Sequence, residues 1–174
     1  MTNGPLTGHI RSSRRRTRFG VGFLVAATVV VIDQLTKTWA VNALNDDRRI
    51  HLIGSLQLNL THNSGMAFSK GSGFGPLIGA VAVVVVVALV FSLRRASNPM
   101  TLVATGLIIG GALGNIIDRS FRGDGWLHGS VIDFIDLQWW PVFNVADMCV
   151  MIGAAMMILG VSRSRNSGSS ESLS

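Results

Sequence analysis

The sequence has a single cysteine, Cys149, so it cannot form a disulfide within the chain. It has four histidines and no HExxH pair, which excludes that class of zinc peptidase. Charged residues make up 14% of the chain, against about 25% in soluble domains. Apolar residues make up 48%, a further 20 residues are glycine, and the mean hydropathy is +0.46. This composition indicates a protein whose solvent is lipid.

Four apolar segments have close to the ~20 residues that cross a bilayer. We interpret the first as a retained span and not as a cleaved signal peptide, because it continues through Asp33 and Lys37 to Trp39 without a small-residue cleavage site. The predicted fold class is therefore an all-α membrane protein with four transmembrane helices. The predicted spans are about 19–41, 74–93, 100–117 and 141–161.

The arginines predict the orientation of these spans. They cluster before the first span, at Arg94 and Arg95, and at Arg163 and Arg165. The positive-inside rule places all three clusters, and with them both termini, in the cytoplasm. The net charge of +6 is then a feature of topology, and we expect no nucleic-acid partner. Eight of the nine acidic residues fall in the outer segments or the adjoining spans.

The ends of the chain differ from its centre. Residues 1–18 and 163–174 lack an apolar period, so we predict a disordered basic cytoplasmic arm and a disordered cytoplasmic tail. Between them, residues 19–162 form one membrane domain. Its first outer segment, 42–73, contains LQLNLT at 56–61, where leucines alternate with polar residues. This period of two predicts a strand, and we expect a small extracytoplasmic β-sheet or cradle beside the helices.

Ionisable residues within spans are costly, so each is a candidate for function. Asp33 and Lys37 are four residues apart on one face of the first span, where they could form an ion pair. A structural pair and a direct part in catalysis both remain open for them.

The third predicted span combines small and polar residues. Gly106, Gly110 and Gly114 recur every four residues in line with Asp118, a pattern typical of close helix packing. Asn115 and Arg119 lie nearby on the same helix. We expect Asn115, Asp118 and Arg119 to orient a site or its ligand.

Two further carboxylates lie around the start of the fourth predicted span. Asp147 follows Trp140 by seven residues, on the order of 10 Å along a helix, and Asn144 precedes it on the same face. Asp133 lies shortly before this span, and Asp136 competes with it for the second position. If 131–137 is extended, Asp133 and Asp136 point to opposite faces, whereas a helix would bring them together.

Two neighbouring carboxylates share a proton, so one can act as base and the other as acid. Such a pair can activate water and polarise a peptide carbonyl, which hydrolyses an amide without a metal. We therefore expect no cofactor and no metal. The chain has no tyrosine, which argues against the presenilin-type peptidases with their Tyr-Asp pair.

The motifs as a set resemble the lipoprotein signal peptidases, also called signal peptidase II. The resemblance covers about residues 20–160, and all five blocks occur in the family's order. The blocks are DQLTK at 33–37, NSGMAFS at 63–69, GGALGNIIDR at 110–119, VIDFID at 131–136 and FNVAD at 143–147.

The resemblance implies a bacterial inner-membrane aspartic endopeptidase with its active site near the extracytoplasmic face. Such an enzyme removes the signal peptide from diacylglyceryl-modified prolipoproteins, cutting N-terminal to the lipidated cysteine. It also implies sensitivity to globomycin, contact with membrane lipid and Asp133 and Asp147 as the catalytic pair, and we expect a monomer. The supporting residues it implies are Asp33, Lys37, Asn63, Gly65, Asn115, Asp118, Arg119 and Asn144.

The alternative from another class is a small proton- or ion-coupled transporter, with Asp33, Asp118 and Asp147 along its pathway. These acids gather at the outer ends of the spans, whereas a conduction path needs polar groups across the whole membrane. The peptidase is therefore the preferred hypothesis.

Overall fold

The computed structural model describes residues 7–45, 47–65, 74–96 and 98–170. The end of the first outer segment, with most of the NSGMAFS block, lies outside these residues, as do 1–6 and 171–174. Within them the chain is mostly helical, with one small sheet. The elements are α1 (Thr7–Ala43), β1 (Arg49–Ile53), β2 (Leu56–Asn63), α2 (Gly75–Leu93), α3 (Pro99–Phe121), β3 (Val131–Asp136) and α4 (Val145–Ser170).

Among the described residues, three helices are long and apolar enough to cross a membrane. They are the Phe19–Ala43 part of α1, together with α2 and α3. The apolar part of α4, Val145–Gly160, is shorter. Four spans were predicted, and the last begins as a helix at Val145 and not at 141, because Phe143 is held in an isolated antiparallel bridge with Ile135.

Two helices extend beyond the predicted spans. The helix α1 includes residues 7–18, and α4 continues through 163–170, where the sequence predicts a disordered arm and tail. Arginine is a good helix former and serine a moderate one, so such residues can continue a helix that an apolar span has already nucleated. The helix α3 runs on to Phe121, which brings Asp118 and Arg119 inside the helix.

The sheet is antiparallel with the strand order β1-β2-β3. The predicted strand at 56–61 lies within β2, and 131–136 is extended as one of the two interpretations of that segment required. The strand β3 pairs with β2 so that Asp133 lies opposite Thr61 and Asp136 opposite Gln57. The sheet thus connects the first outer segment to the segment that precedes α4.

Close packing of α1 against α3 fixes the helical part. A side-chain carbon at Gly106 would lie 2.6 Å from the carbonyl oxygen of Gly22, and one at Gly110 would lie 2.7 Å from that of Ala26. The glycines therefore let the two backbones meet, as their spacing of four residues predicted. At the start of α3, Asn98 Oδ1 accepts a hydrogen bond from the Met100 backbone over 2.9 Å and caps the helix.

The sheet is joined to the helices by its own small apolar cluster. Ala40 and Leu44, at the end of α1, are buried against Phe134 of β3. A second cluster, between the helices, contains Ala26, Val86, Leu93, Leu102 and Ile109. Burial of Phe134 therefore fixes the face of β3 that looks toward α1. Asp133 and Asp136 are three residues apart in this strand and project to opposite faces of it.

Candidate active site

Asp133 and Asp147 come from different elements and line the same cavity. Asp133 lies in the middle of β3 and is 2% exposed, while Asp147 is half-buried in the first turn of α4. The sequence placed Asp147 further along a helix, but α4 starts later than predicted. Asp147 thus lies in the first turn of α4, where it lines the cavity together with Asp133 of β3.

Asn144 connects the two carboxylates. Its Nδ2 donates to Asp133 Oδ1 over 2.6 Å, and its backbone N–H donates to Asp147 Oδ2 over 3.2 Å. In return, the Asp147 backbone donates to Asn144 Oδ1 over 2.9 Å. This reciprocal pair is a capping box, so the same two residues start the helix and build the site.

Two further side-chain amides donate to the other oxygen of each carboxylate, the one that Asn144 does not contact. Asn115 of α3 donates from Nδ2 to Asp147 Oδ1 over 2.9 Å. Asn63, at the end of β2, donates to Asp133 Oδ2 over 3.0 Å and accepts from the Gly65 backbone over 3.0 Å. The predicted supporting residues Asn63, Gly65, Asn115 and Asn144 therefore all lie at this site.

Burial raises the pKa of Asp133 to about 6. The charge of Asp147 contributes to this rise in pKa, while the hydrogen bonds from Asn63 and Asn144 and the charge of Lys37 partly offset it. A carboxyl with this pKa can hold or release a proton near neutral pH. Such perturbed groups in a cavity are typical of functional sites.

Asp136 has different surroundings. Its carboxylate accepts from Gln57 over 2.7 Å, from Asn59 over 3.3 Å and from the Gln138 backbone over 2.7 Å. Burial raises its pKa, but these hydrogen bonds outweigh burial and bring the pKa below its ordinary value. Asp136 is not among the residues that line the cavity. It stabilises the sheet and a turn, which removes the geometric case for it as the second carboxylate.

The cavity has a volume of about 300 Å³. Its polar side is formed by the two carboxylates with Asn63, Asn115 and Arg119, and its apolar side by residues of α2 and α3. Arg119 is 6% exposed, and its Nη1 has no hydrogen-bond partner among the described residues. Leaving a buried donor unpaired is costly, so this atom is a candidate to bind a substrate oxygen.

The remaining predicted residues form a buried ion group behind the cavity. Lys37 contacts Asp33 and Asp118 at 2.8 Å each, and all three are buried without exposed area. The predicted pairing of Asp33 with Lys37 is confirmed. None of these three residues lines the cavity, which favours a supporting role over direct catalysis.

Sequence reasoning missed two members of this ion group. Gln34 donates to Asp33, Asp118 and the Gly114 carbonyl over 3.1–3.2 Å, and Arg122 Nε donates to Asp118 over 2.8 Å. The spacing of four residues between Asp118 and Arg122 was a usable signal. The contribution of α2 to the cavity, Ile78, Gly79 and Ala82, had no signal in the sequence.

Metal-binding side chains are not grouped in the part of the chain that the structure describes. No group of three or more histidine, cysteine, aspartate or glutamate side chains is arranged there to hold a metal ion. The side chains that donate to Asp133 and Asp147 are the amides of Asn63, Asn115 and Asn144.

Comparison with known proteins gives the context of this site. The lipoprotein signal peptidase of Mycobacterium avium (strain 104) is 43% identical over 136 residues, which cover 78% of this chain and 75% of that protein. That of Rhodococcus jostii (strain RHA1) is 42% identical over 138 residues, covering 79% and 70%. These relatives give no support to the transporter alternative.

Solved structures agree with the sequence relatives. A bacterial membrane enzyme solved by the in meso method at 2.3 Å resolution matches with a TM-score of 0.72 and 29% identity, over 83% of this chain and 88% of that one. A second, at 1.9 Å resolution, matches with a TM-score of 0.70 and 30% identity, over 82% and 92%. The family model described as Signal peptidase (SPase) II matches residues 25–163. The chain is therefore a bacterial membrane peptidase that belongs to the signal peptidase II family.

Proposed function

We propose that this peptidase is of the aspartic type and that Asp133 and Asp147 are its catalytic pair. It removes signal peptides from lipoprotein precursors, the reaction of its family. One observation carries the catalytic assignment. Two carboxylates from separate elements line one cavity and are joined by hydrogen bonds from the same residue, Asn144.

The pair would share one proton. The ionised carboxylate takes a proton from water, the water oxygen bonds to the peptide carbonyl carbon, and the protonated carboxyl hydrogen-bonds the carbonyl oxygen as negative charge grows on it. When the carbon–nitrogen bond breaks, the leaving amine receives a proton from the pair. The raised pKa of Asp133 suits a carboxyl that holds the shared proton at the start of this cycle.

The peptide would be held by donors around the pair. Arg119 Nη1 is buried and has no hydrogen-bond partner among the described residues. The guanidinium interacts electrostatically with Asp133 and Asp147 themselves. We propose that it donates to a backbone carbonyl of the substrate, with Asn63 and Gly65 on the other side of the cavity. The apolar side, which includes the half-exposed Ile78, would accept side chains of the signal peptide.

The finer description of the substrate rests on the family. We propose a prolipoprotein whose cysteine carries a diacylglyceryl group, cut on the N-terminal side of that cysteine, and inhibition by globomycin. The α2 face beside the cavity exposes Leu77, Ile78 and Val81, which gives the lipid chains an apolar path to the bilayer. A monomer contains every residue that this reaction uses.

We further propose that α4 is the fourth span and that both termini are cytoplasmic. The 26 residues of α4 would extend about 39 Å at a helical rise of about 1.5 Å per residue, enough to cross a bilayer. Arginines at the ends of α1, α2 and α4 then share the cytoplasmic side. The active site lies at the other end of the helices, near the extracytoplasmic face.

The assignment is tested by replacing each carboxylate with its amide. Asp133→Asn and Asp147→Asn should each abolish cleavage of a diacylglyceryl-modified prolipoprotein in detergent, because neither amide can carry the shared proton. Asp136→Asn is the matched control, since it lies in the same strand but outside the cavity, and it should keep substantial activity. Near-normal cleavage by either of the first two variants would overturn the proposal.

A further inference from the structure

Lys37 makes three close polar contacts inside the protein. Its Nζ lies 2.8 Å from Asp33 Oδ2, 2.8 Å from Asp118 Oδ2 and 2.8 Å from Asn115 Oδ1. An ammonium group has three donors, so all of them are used. The side chain has no exposed area and does not line the cavity. Lys37 therefore acts on Asp133 and Asp147 only through the residues that it contacts, of which Asn115 lines the cavity.

Asp33 and Asp118 each also accept a hydrogen bond from the backbone of a distant segment. Asp33 Oδ1 accepts from the Ala146 N–H over 3.0 Å, and Asp118 Oδ2 accepts from the Ile132 N–H over 3.2 Å. Ala146 directly precedes Asp147, and Ile132 directly precedes Asp133. Each buried acid thus anchors the backbone immediately before one member of the catalytic pair.

The geometry points to Lys37 as a positioning residue that sets the separation of Asp133 and Asp147 by holding their two backbone anchors together. This inference rests on the function proposed above. Lys37 connects the two anchors to one ammonium group, and through Asn115 it also orients the amide that donates to Asp147. The contacts of Lys37 with Asp33, Asp118 and Asn115 would then fix the separation of Asp133 and Asp147.

A purely packing role explains these contacts less well. Burying charges costs solvation, and an apolar group of similar volume would often hold two helices as firmly. Unlike apolar groups, Asp33 and Asp118 accept hydrogen bonds from backbone N–H groups. One of these groups, the N–H of Ala146, lies in the first turn of α4, where a helix leaves its N–H groups unpaired. Arg122 and Gln34 donate hydrogen bonds to the other carboxylate oxygen of Asp118, Oδ1.

The test separates positioning from folding by using kcat and KM. Asp33→Ala removes the acceptor for Ala146 but touches nothing in the cavity. A misplacement of about 1 Å costs on the order of 100-fold in rate. We expect kcat to fall by about 10- to 100-fold while KM for a diacylglyceryl lipopeptide stays within about twofold. Thr38→Val is the matched control, because Thr38 is exposed on the same helix and donates to its own helix at Gln34.

A second variant keeps the inference testable if Asp33→Ala does not fold. Asp33→Asn combined with Lys37→Met removes one buried charge of each sign, so the net charge is unchanged, but it loses the link between the anchors. We expect the same selective loss in kcat. The alkaline limb of the pH profile should also move to higher pH, because the Lys37 charge lowers the pKa of Asp133. The other groups that face Asp133 are Asn63, Arg119, Asn144 and Asp147.

The possible outcomes are distinct. Wild-type kcat and an unmoved pH profile in the folded double variant would overturn the inference, and so would a fall in kcat fully explained by a smaller folded fraction. If Asp133→Asn or Asp147→Asn retained cleavage, the proposed catalytic pair itself would fail, whatever Lys37 does. Loss of activity in those two variants together with normal kcat in the Lys37 variant would reject only the positioning role.

Discussion

Asp133 and Asp136 show how local surroundings decide the chemistry of one residue type. They lie three residues apart in one strand and project to opposite faces. Asp133 is buried beside a second carboxylate, which favours its protonated form. Asp136 accepts three hydrogen bonds, which favour its ionised form. Of the two, Asp133 is the one suited to exchange a proton near neutral pH.

This difference predicts the pH dependence of activity. In the proposed mechanism the pair is active with one shared proton, and Asp133 would lose its proton as the pH rises through its pKa of about 6. We expect kcat/KM for a lipopeptide to fall above about pH 6, since kcat/KM reports the ionisations of the free enzyme. Initial rates between about pH 4 and pH 9 in one detergent would measure it. A flat profile across neutral pH would contradict the prediction.

Asn63→Ala serves as the internal check on that profile. Asn63 donates to Asp133 over 3.0 Å and lowers its pKa, so its removal should move the falling limb to higher pH. The shift should reach up to about one pH unit. A hydrogen bond to a charged group contributes on the order of 1.5 kcal/mol, and one pKa unit corresponds to about 1.4 kcal/mol. A limb that moved to lower pH would show that another group titrates there.

At the scale of elements, the start of α4 serves the fold and the site together. The capping box between Asn144 and Asp147 begins the helix directly after Phe143, which forms a β-bridge with Ile135. The sequence pattern N-x-x-D at 144–147 contains this signal. The apolar residues before it led to a predicted span that begins at 141, four residues before α4 begins at Val145. Because the helix starts late, Asp147 lies in its first turn and lines the cavity with Asp133.

The contact between α1 and α3 gives a stability prediction. A side-chain carbon at Gly110 would lie 2.7 Å from the backbone oxygen of Ala26 and 2.7 Å from Val29 Cβ, so the helices must separate to admit it. We expect Gly110→Ala to destabilise the protein by about 1–3 kcal/mol, the usual cost of overpacking. Unfolding titrations in mixed micelles would measure this loss.

Gly20→Ala is the control for that change. Gly20 is exposed in the same pair of helices, and nothing lies within 4 Å of a side-chain carbon built there. Alanine is the better helix former by about 1 kcal/mol, so this variant should be as stable as the wild type or slightly more so. Equal losses in both variants would mean that the contact does not limit stability.

At the scale of the whole molecule, the site is assembled from parts far apart in the sequence. Asn63 is the last residue of β2, Asn115 and Arg119 lie on α3, Asp133 lies on β3 and Asp147 lies on α4. The buried contact of Phe134 with the end of α1 holds the sheet against the helices. The active site therefore lies where the sheet meets one end of the helical bundle.

The proposed orientation can be tested with introduced cysteines in a Cys149→Ser background. Asp124→Cys, in the loop after α3, should react with a membrane-impermeant maleimide on spheroplasts, because that end of α3 is predicted to face outward. Arg95→Cys, between α2 and α3, should react only after the membrane is permeabilised. Labelling of both without permeabilisation, or the reverse pattern, would contradict the orientation.

Much of the site could be predicted from the sequence because polar residues within apolar segments are conspicuous. Asp33, Lys37, Asn115, Asp118 and Asp147 stood out in this way, and the spacing of the glycines predicted close helix packing, which the structure shows between α1 and α3. Gln34 was missed because its contacts cross between α1 and α3. Arg122 was missed although its spacing of four residues from Asp118 was a usable signal. The lining from α2 was missed because apolar residues in a span all look alike.

The sequence by itself predicted the lipid environment, four apolar spans and the strand in the first outer segment, since composition and period express local physics. Three of the four spans are long apolar helices in the described residues. The sequence left Asp133 and Asp136 as rivals on geometric grounds, and it placed the start of the fourth helix too early. Only the tertiary structure decided these points. Which carboxylate is buried beside Asp147, and which backbone N–H groups Asp33 and Asp118 accept from, depends on contacts between residues distant in the chain.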